Sequence, residues 1–386
     1  MKRGGILLII ILLLISFVSA LDTNQPQVVG WRTSDYGTED PTAVAQENFS
    51  YYIEVAKGMA LKFPGSRPGG IYTIGYIDND EIALPSQLES TIGDMNGVHY
   101  DSENADPEIM LTAFDAAGLD IILSIEPGTA DVNELAAKIL DKYKQHSSVK
   151  GFGLDAEWYK SETGEVVMTA EEAISFRDTV KSVNPNYKVL IKHYDSSKLP
   201  KGIKDITYLT DTCGFDSKSE AIAEYVAWAD YFSNSEVAYQ FGYDKLECGE
   251  DSNWWKALAP SPGLGESASE ITAEIRASIN NSIYGVYWAD FTILTQFPIN
   301  YTAGKNSACY QICIRPSDLC IESSVVSNSC GGYCTGNWTV AKKTIADADC
   351  NGKVNRTEFV NYMHNLMTGK VSSSNFGKVI IAWILG

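Results

Sequence analysis

Positive charge, long apolar runs and phosphate-gripping glycines are all scarce in this chain, and each scarcity removes a class of function. Lys and Arg number 30 against 49 Asp and Glu, a formal net charge of −19 at pH 7. A surface so acidic repels polyanions, so neither nucleic acid nor an anionic membrane is an expected partner. The longest apolar run, from Ile6 to Val18, covers 13 residues. That is short of the about 20 that a spanning helix needs. Lys2 and Arg3 precede it and Val18-Ser19-Ala20 ends it, which is the pattern of a secretory signal peptide over residues 1–20. Without it the formal charge is −21, and no membrane contact is expected beyond that segment. No Gly-rich loop follows the first β-rich run, which argues against a doubly wound nucleotide-binding sheet. No Cys-x-x-Cys pair occurs, and His364 is the one histidine near the cysteine cluster, which argues against zinc.

What is present is an alternation. Short β-rich runs lie at Gln27–Trp31, Ile71–Ile77, Asp120–Ile125, Val149–Ala156, Lys188–His193, Ile206–Thr212, Val237–Phe241 and Ile283–Ala289. Amphipathic stretches near 47–62, 106–117, 131–145, 169–184, 216–230 and 267–280 separate them. Asp131 and Thr169 stand where helix caps belong, Glu172 completes a capping box, and Gly118 closes the helix before Asp120. Eight strands alternating with helices predict a (β/α)8 TIM barrel over residues 21–300.

Barrels of this kind carry their chemistry at the C-terminal ends of their strands. The fourth run reads Val149-Lys-Gly-Phe-Gly-Leu-Asp-Ala-Glu-Trp-Tyr159. Strand alternation would put Gly153, Asp155 and Glu157 on one face, two carboxylates at the end of an apolar strand. Unpaired buried carboxylates are costly, so acid/base work on a sugar is the economical reading. Other strand ends offer Asp78 and Asp80, Glu126, His193 and Asp195, Asp211, Gln240 and Asp244, and Trp288 with Asp290. Trp31, Tyr76, Trp158, Tyr159, Tyr239, Tyr243, Trp254, Trp255 and Trp288 are candidate apolar platforms for sugar rings, several of them equally suited to packing the barrel.

The run Ile121-Ile-Leu-Ser-Ile-Glu-Pro-Gly128 resembles the Ser-x-Gly-Gly strand of family 18 glycoside hydrolases, the chitinase-like barrels, and Gly-Phe-Gly-Leu-Asp-Ala-Glu157 resembles their Asp-Gly-x-Asp-x-Asp-x-Glu strand. Tyr208-Leu-Thr-Asp211 is similar to their Met-x-Tyr-Asp, and Trp288 falls where their floor tryptophan lies. The resemblance implies Glu157 as the proton donor to the glycosidic oxygen and Asp155 as the group that orients the substrate's acetamido nucleophile. Lys150 and Gly153 stand where the family has its first and middle Asp, and Glu126-Pro127 where it has a glycine. Asp-x-Glu is also similar to lysozyme-like family 25 enzymes, and Glu126 beside Glu157 offers an ordinary two-carboxylate pair. The polymer and the stereochemistry therefore stay open.

Eight cysteines in a secreted chain read as disulfides. Cys213 and Cys248 follow neighbouring strands and are expected to pair. Cys309, Cys313, Cys320, Cys330, Cys334 and Cys350 crowd into 42 residues and predict a stapled linker over 301–340. Asp347-Ala-Asp-Cys-Asn-Gly-Lys-Val-Asn-Arg-Thr-Glu358 then matches an EF-hand calcium loop. Asp347, Asp349 and Asn351 supply oxygens at positions 1, 3 and 5, Lys353 a carbonyl at 7, Asn355 position 9 and Glu358 position 12, with Gly352 at the turn. The run from Gly352 to Phe359 recurs 17 residues later as Gly369 to Phe376, with Asn375 in place of Glu358. A calcium loop and helix, duplicated with the second loop degenerate, resembles a dockerin over 341–386, which implies one Ca2+ and a cohesin-like scaffold as partner. The expectation is an extracellular or cell-surface glycoside hydrolase acting on a chitin- or peptidoglycan-like polysaccharide. The alternatives are a non-catalytic carbohydrate-binding barrel and a surface interaction protein.

Overall fold

The computed structural model describes residues 25–33, 49–102, 106–160, 166–211, 215, 217–242, 264–290, 292–293, 299–300 and 305–306. The expected signal segment, Tyr243, Asp244, Trp254, Trp255, all eight cysteines and the expected calcium loop lie outside them.

The strands in chain order are β1 (Val28–Arg32), β2 (Arg67–Asp78), β3 (Glu81–Pro85), β4 (Val98–Asp101), β5 (Asp120–Ile125), β6 (Val149–Asp155), β7 (Lys188–Lys192), β8 (Thr207–Thr210), β9 (Glu236–Phe241) and β10 (Ile283–Ala289). Eight of them pair in parallel in the order β1-β10-β9-β8-β7-β6-β5-β2, and β2 pairs with β1 to close the ring. At that seam Val28 lies opposite Arg67 on one side and Gly285 on the other. The helices are α1 (Phe49–Ala60), α2 (Glu89–Ile92), α3 (Pro107–Ala117), α4 (Val132–Tyr143), α5 (Ala170–Val183), α6 (Lys218–Tyr231) and α7 (Leu264–Arg276). This is a (β/α)8 barrel, with the eight strands and the six longer helices where the sequence pattern puts them.

Local chemistry explains the boundaries. Asp106 caps α3 from Glu108 N–H with Pro107 at the first helical position, and Gly118 ends it in the left-handed region. Asp131 accepts from the amides of Asn133 and Glu134. Thr169 and Glu172 form the reciprocal capping box of α5. On α4 the buried side chains Val132, Leu135, Ala136, Ile139, Leu140 and Tyr143 follow the helical period and lie inward.

One addition was not expected. β2 runs on past the barrel rim, turns at Asn79-Asp80 and pairs antiparallel with β3, Asp78 opposite Glu81, while β4 lies parallel to β3. Both turn residues take positive φ, 52° and 64°, as a two-residue hairpin that follows the strand twist requires.

Inside the barrel Val28, Ile71, Ile122, Leu190, Leu209, Ala238, Tyr284 and Tyr287 form one buried cluster from seven strands. Because strand side chains alternate, the inward positions two or four residues further toward the C-terminal rim are Arg32, Glu126, Lys192, Asp211 and Gln240. β6 contributes Asp155 at that level, above Gly151 and Gly153, which place no side chain in the lumen. A Cβ at Gly153 would meet Ser124 Oγ at 3.3 Å and Leu190 Cδ2 at 3.4 Å, so its neighbours already fill that space. The barrel belongs to a compact unit of 1–49 and 56–296. In the second unit, 50–55 with 297–386, the two-residue strands β11 (Ile299–Asn300) and β12 (Lys305–Asn306) pair antiparallel.

Candidate active site

The topmost inward layer of the lumen is charged, and two cations organise it. Arg32, 1% exposed at the end of β1, reaches across the barrel. Its Nη2 lies 2.8 Å from Asp155 Oδ2 and 3.3 Å from Glu126 Oε1, and its Nη1 donates to Gln240 Oε1 at 3.2 Å. Lys192, at the end of β7, sets its ammonium against three carboxyl groups. Asp155 Oδ2 is 3.2 Å away, Asp211 Oδ2 is 2.9 Å away, and Glu157 Oε1 accepts a short hydrogen bond. Asp155 belongs to both groups. Burying charges is tolerable only when each finds a partner, and here acids and bases share partners around the ring.

The expected Asp-x-Glu pair is thus brought together, but not as a continuous strand. β6 ends at Asp155, and Ala156–Trp158 form a single 3-10 turn. Asp155 caps that turn, its Oδ1 accepting from Glu157 N–H at 3.2 Å. The capping bond bends the chain and so overrides strand alternation, and Lys192, rather than the strand period, places the two carboxyls together. Glu157 keeps 15% of its side chain exposed, Asp211 10%, Glu126 5% and Asp155 2%. Burial pushes the Glu157 carboxyl well above the usual range, and the charges of Asp155 and Asp211 push the same way against the pull of Lys192. Burial pulls the Lys192 pKa down, but Asp155, Asp211 and Glu157 outweigh that and hold it well above the ordinary value.

Other expected site residues fall around this layer in different conditions. Glu126 is tied down on both oxygens, Oε1 by Arg32 and Oε2 by Ile77 N–H at 3.3 Å. His193 is fully buried; Asp195 N–H donates to its Nδ1 at 2.9 Å, so the neutral ring carries its proton on Nε2. Burial lowers the pKa of that ring, and Nε2 finds no hydrogen-bond partner. Trp158 stays half-buried. Tyr159 is buried, pairs by a parallel bridge with Gly128, and has the Lys160 ammonium 4.9 Å from its ring centre. Trp288, Trp31 and Tyr239 are fully buried, with Trp288 edge-on to Phe241 at 5.6 Å, so none offers an open platform. Asp290 is fully buried as well. Tyr76 stays half-buried.

Arg32, Lys192 and the bonding of Gln240 are what sequence reasoning missed. The signal was available: Arg32 closes Val28-Val-Gly-Trp-Arg and Lys192 closes Val189-Leu-Ile-Lys, each a charge at the C-terminal end of an apolar strand. Among the described residues no cluster of His, Cys, Asp and Glu is arranged to hold a metal, and no helix is long and apolar enough to cross a membrane.

Fold and site define a class: a closed (β/α)8 barrel with a buried, cation-bridged carboxylate cluster at its strand ends. No family model matches the sequence, and no curated protein matches it. Solved structures to which the chain is similar include a glucosidase from Croceicoccus marinus, at 10% identity and a TM-score of 0.36 over 69% of this chain and 60% of that one. A β-D-glucuronidase from Dictyoglomus thermophilum is similar at 11% identity and 0.36, over 68% of this chain and 44% of that one. An α-L-arabinofuranosidase from Thermotoga maritima is similar at 13% identity and 0.38, over 69% and 64%. The chain spans less than two thirds of the length of each of these.

Proposed function

We propose that the protein is a glycoside hydrolase in which Glu157 is the general acid. One observation carries the reading: a partly exposed carboxyl at the barrel mouth whose pKa burial raises, beside Asp155 and Asp211 on a shared ammonium. A carboxyl that keeps its proton near neutral pH can deliver it to a glycosidic oxygen. Asp155, held between Arg32 and Lys192, supplies fixed negative charge where an oxocarbenium ion would develop. The half-buried Trp158 next to the acid is the aromatic surface best placed to meet a sugar ring.

The substrate class we favour is an extracellular polysaccharide of the chitin or peptidoglycan kind, met by a secreted protein whose tail binds one calcium and docks on a cohesin-like scaffold. The signal-like segment, the cysteine cluster and the calcium-loop motif support that setting.

The test is a screen of the purified full chain on chitin, peptidoglycan and β-glucans, scoring binding and reducing-end release together. Release is expected, and binding without release selects the non-catalytic carbohydrate-binding barrel. On a cleaved substrate, Glu157→Gln should lower turnover on the order of a hundredfold or more while ligand binding persists. Parent activity should fall as pH rises through the raised pKa of Glu157, because the acid form is then lost. That alkaline limb should be absent from the residual rate of the variant. A Glu157→Gln protein as fast as its parent would place the acid elsewhere.

A further inference from the structure

The four carboxyl groups of the mouth differ in how far their oxygens are spent. Asp155 uses Oδ2 on Arg32 and Lys192 and Oδ1 on Glu157 N–H, with 2% exposure left. Glu126 uses one oxygen on Arg32 and the other on Ile77 N–H. Asp211 is different. Its Oδ2 meets Lys192 at 2.9 Å, while its buried Oδ1 has no hydrogen-bond partner. On the neighbouring strand, Gln240 spends its carbonyl oxygen on Arg32 and leaves its buried Nε2 without an acceptor. A buried carboxylate oxygen and a buried amide donor, both unsatisfied and both at inward positions of one layer, are costly unless a ligand completes them.

The spacing is also informative. Asp211 Oδ2 and Glu157 Oε1 touch the same Lys192 nitrogen, so these two oxygens lie no more than about 5.5 Å apart. That ceiling admits the roughly 5–5.5 Å of a retaining carboxyl pair and falls short of the roughly 6.5–9.5 Å that leaves room for an inverting enzyme's water.

We infer that Asp211 is the nucleophile of a retaining double displacement, with Glu157 as acid and then base and Lys192 fixing the distance between them. The inference rests on the glycosidase reading above. In the first step Asp211 Oδ1 bonds to the anomeric carbon as the bond to the leaving oxygen breaks, and the Glu157 proton passes to that oxygen. In the second, water attacks the same carbon and gives its proton to Glu157. The ester bond to Asp211 breaks, and the carboxylate returns to Lys192. Gln240 Nε2 donates to a hydroxyl of the bound ring. Asp155 keeps its role as charge beside the developing oxocarbenium ion, and Glu126 is a positioning residue that acts through Arg32.

The experiment uses the full chain on aryl glycosides of both anomeric forms and on reduced oligosaccharides of chitin, peptidoglycan and β-glucan, with product configuration followed by NMR. Retention is expected of the unaltered protein, and inversion overturns the proposal whether or not any variant folds. Asp211→Ala should lose on the order of a thousandfold or more on an aryl glycoside. Sodium azide should restore part of the rate and yield a glycosyl azide of configuration opposite to the substrate's. Glu157→Ala with azide should yield the azide of the same configuration. An opposite-configuration azide from Asp155→Ala but not from Asp211→Ala moves the nucleophile to Asp155 and leaves the glycosidase reading standing. Cleavage of nothing in either set overturns the glycosidase reading, and the nucleophile with it.

Discussion

Lys192 is the side chain on which the mouth most depends, since its one ammonium faces Asp155, Glu157 and Asp211 at 3% exposure. Lys192→Met keeps much of the bulk and leaves three carboxyls facing one another. Removing one partner of a buried ion cluster costs about 3–5 kcal/mol. Asp155 keeps Arg32, but Glu157 and Asp211 lose their cation and are relieved by protonation, so the folded variant takes up protons more readily than its unfolded chain. Its deficit in melting temperature should therefore be large at pH 8 and shrink toward pH 5, as thermal melts across that range would show. A deficit independent of pH would mean the ammonium is not neutralising the cluster. Glu157 gives the complementary case. Its folded pKa is raised above the ordinary 4.5, so the folded state holds a proton that the unfolded chain releases. Its contribution is then fully present below pH 4.5 and declines as pH rises through the folded value. Glu157→Gln escapes that decline and should melt higher than the parent at pH 7, the two converging near pH 4. The acids were legible in the sequence because strand ends in a barrel are where chemistry collects. The two bases were not, because Arg and Lys after an apolar run read equally well as side chains reaching for solvent.

At the scale of elements, the periodic strands and helices were readable because their apolar spacing is strong and their caps are ordinary. The break in β6 was not, since nothing in Asp155-Ala-Glu157 announces that Asp155 will cap a 3-10 turn rather than continue the pleat. The hairpin after β2 carried a signal in Asn79-Asp80, but β3 and β4 are short, five and four residues, and weakly periodic. That hairpin is tied to the site side of the barrel through Gly128, in the loop after β5. Gly128 has φ 52°, its carbonyl accepts from Lys160 N–H at 2.8 Å, and a Cβ there would lie 2.4 Å from Asp80 O. Gly128→Ala meets both backbone strain and a backbone clash, which a flexible side chain cannot absorb. We expect a loss of about 1–3 kcal/mol by denaturant titration. The two loops that the Gly128–Tyr159 bridge joins should also exchange their amide hydrogens faster, while those of β8 and β9 are unchanged.

For the whole molecule, the proposed calcium loop makes a stoichiometric prediction. Asp347, Asp349, Asn351 and Glu358 carry side-chain oxygens at the proposed ligand positions, whereas the second repeat carries Asn375 where Glu358 stands in the first. Calorimetric titration of the chelator-treated protein should give one Ca2+ per chain, and Asp347→Ala should abolish the heat. Two sites would mean that the degenerate repeat binds after all.

The closure of the barrel also sets a timetable. Arg32 meets Glu126 across 94 residues of chain, Asp155 across 123 and Gln240 across 208. Doubling a loop adds only about 0.6 kcal/mol to the entropy of closing it, so these distances weigh on rate more than on stability. A ribosome adding roughly 5–20 residues per second needs on the order of ten to forty seconds to travel from Arg32 to Gln240. During that interval the guanidinium is solvated and the first strand has no eighth strand to close against. Glu157 and Lys192 can meet early, but the ring of charges around them is completed only after β9 has emerged. The acid is therefore made long before the barrel that raises its pKa.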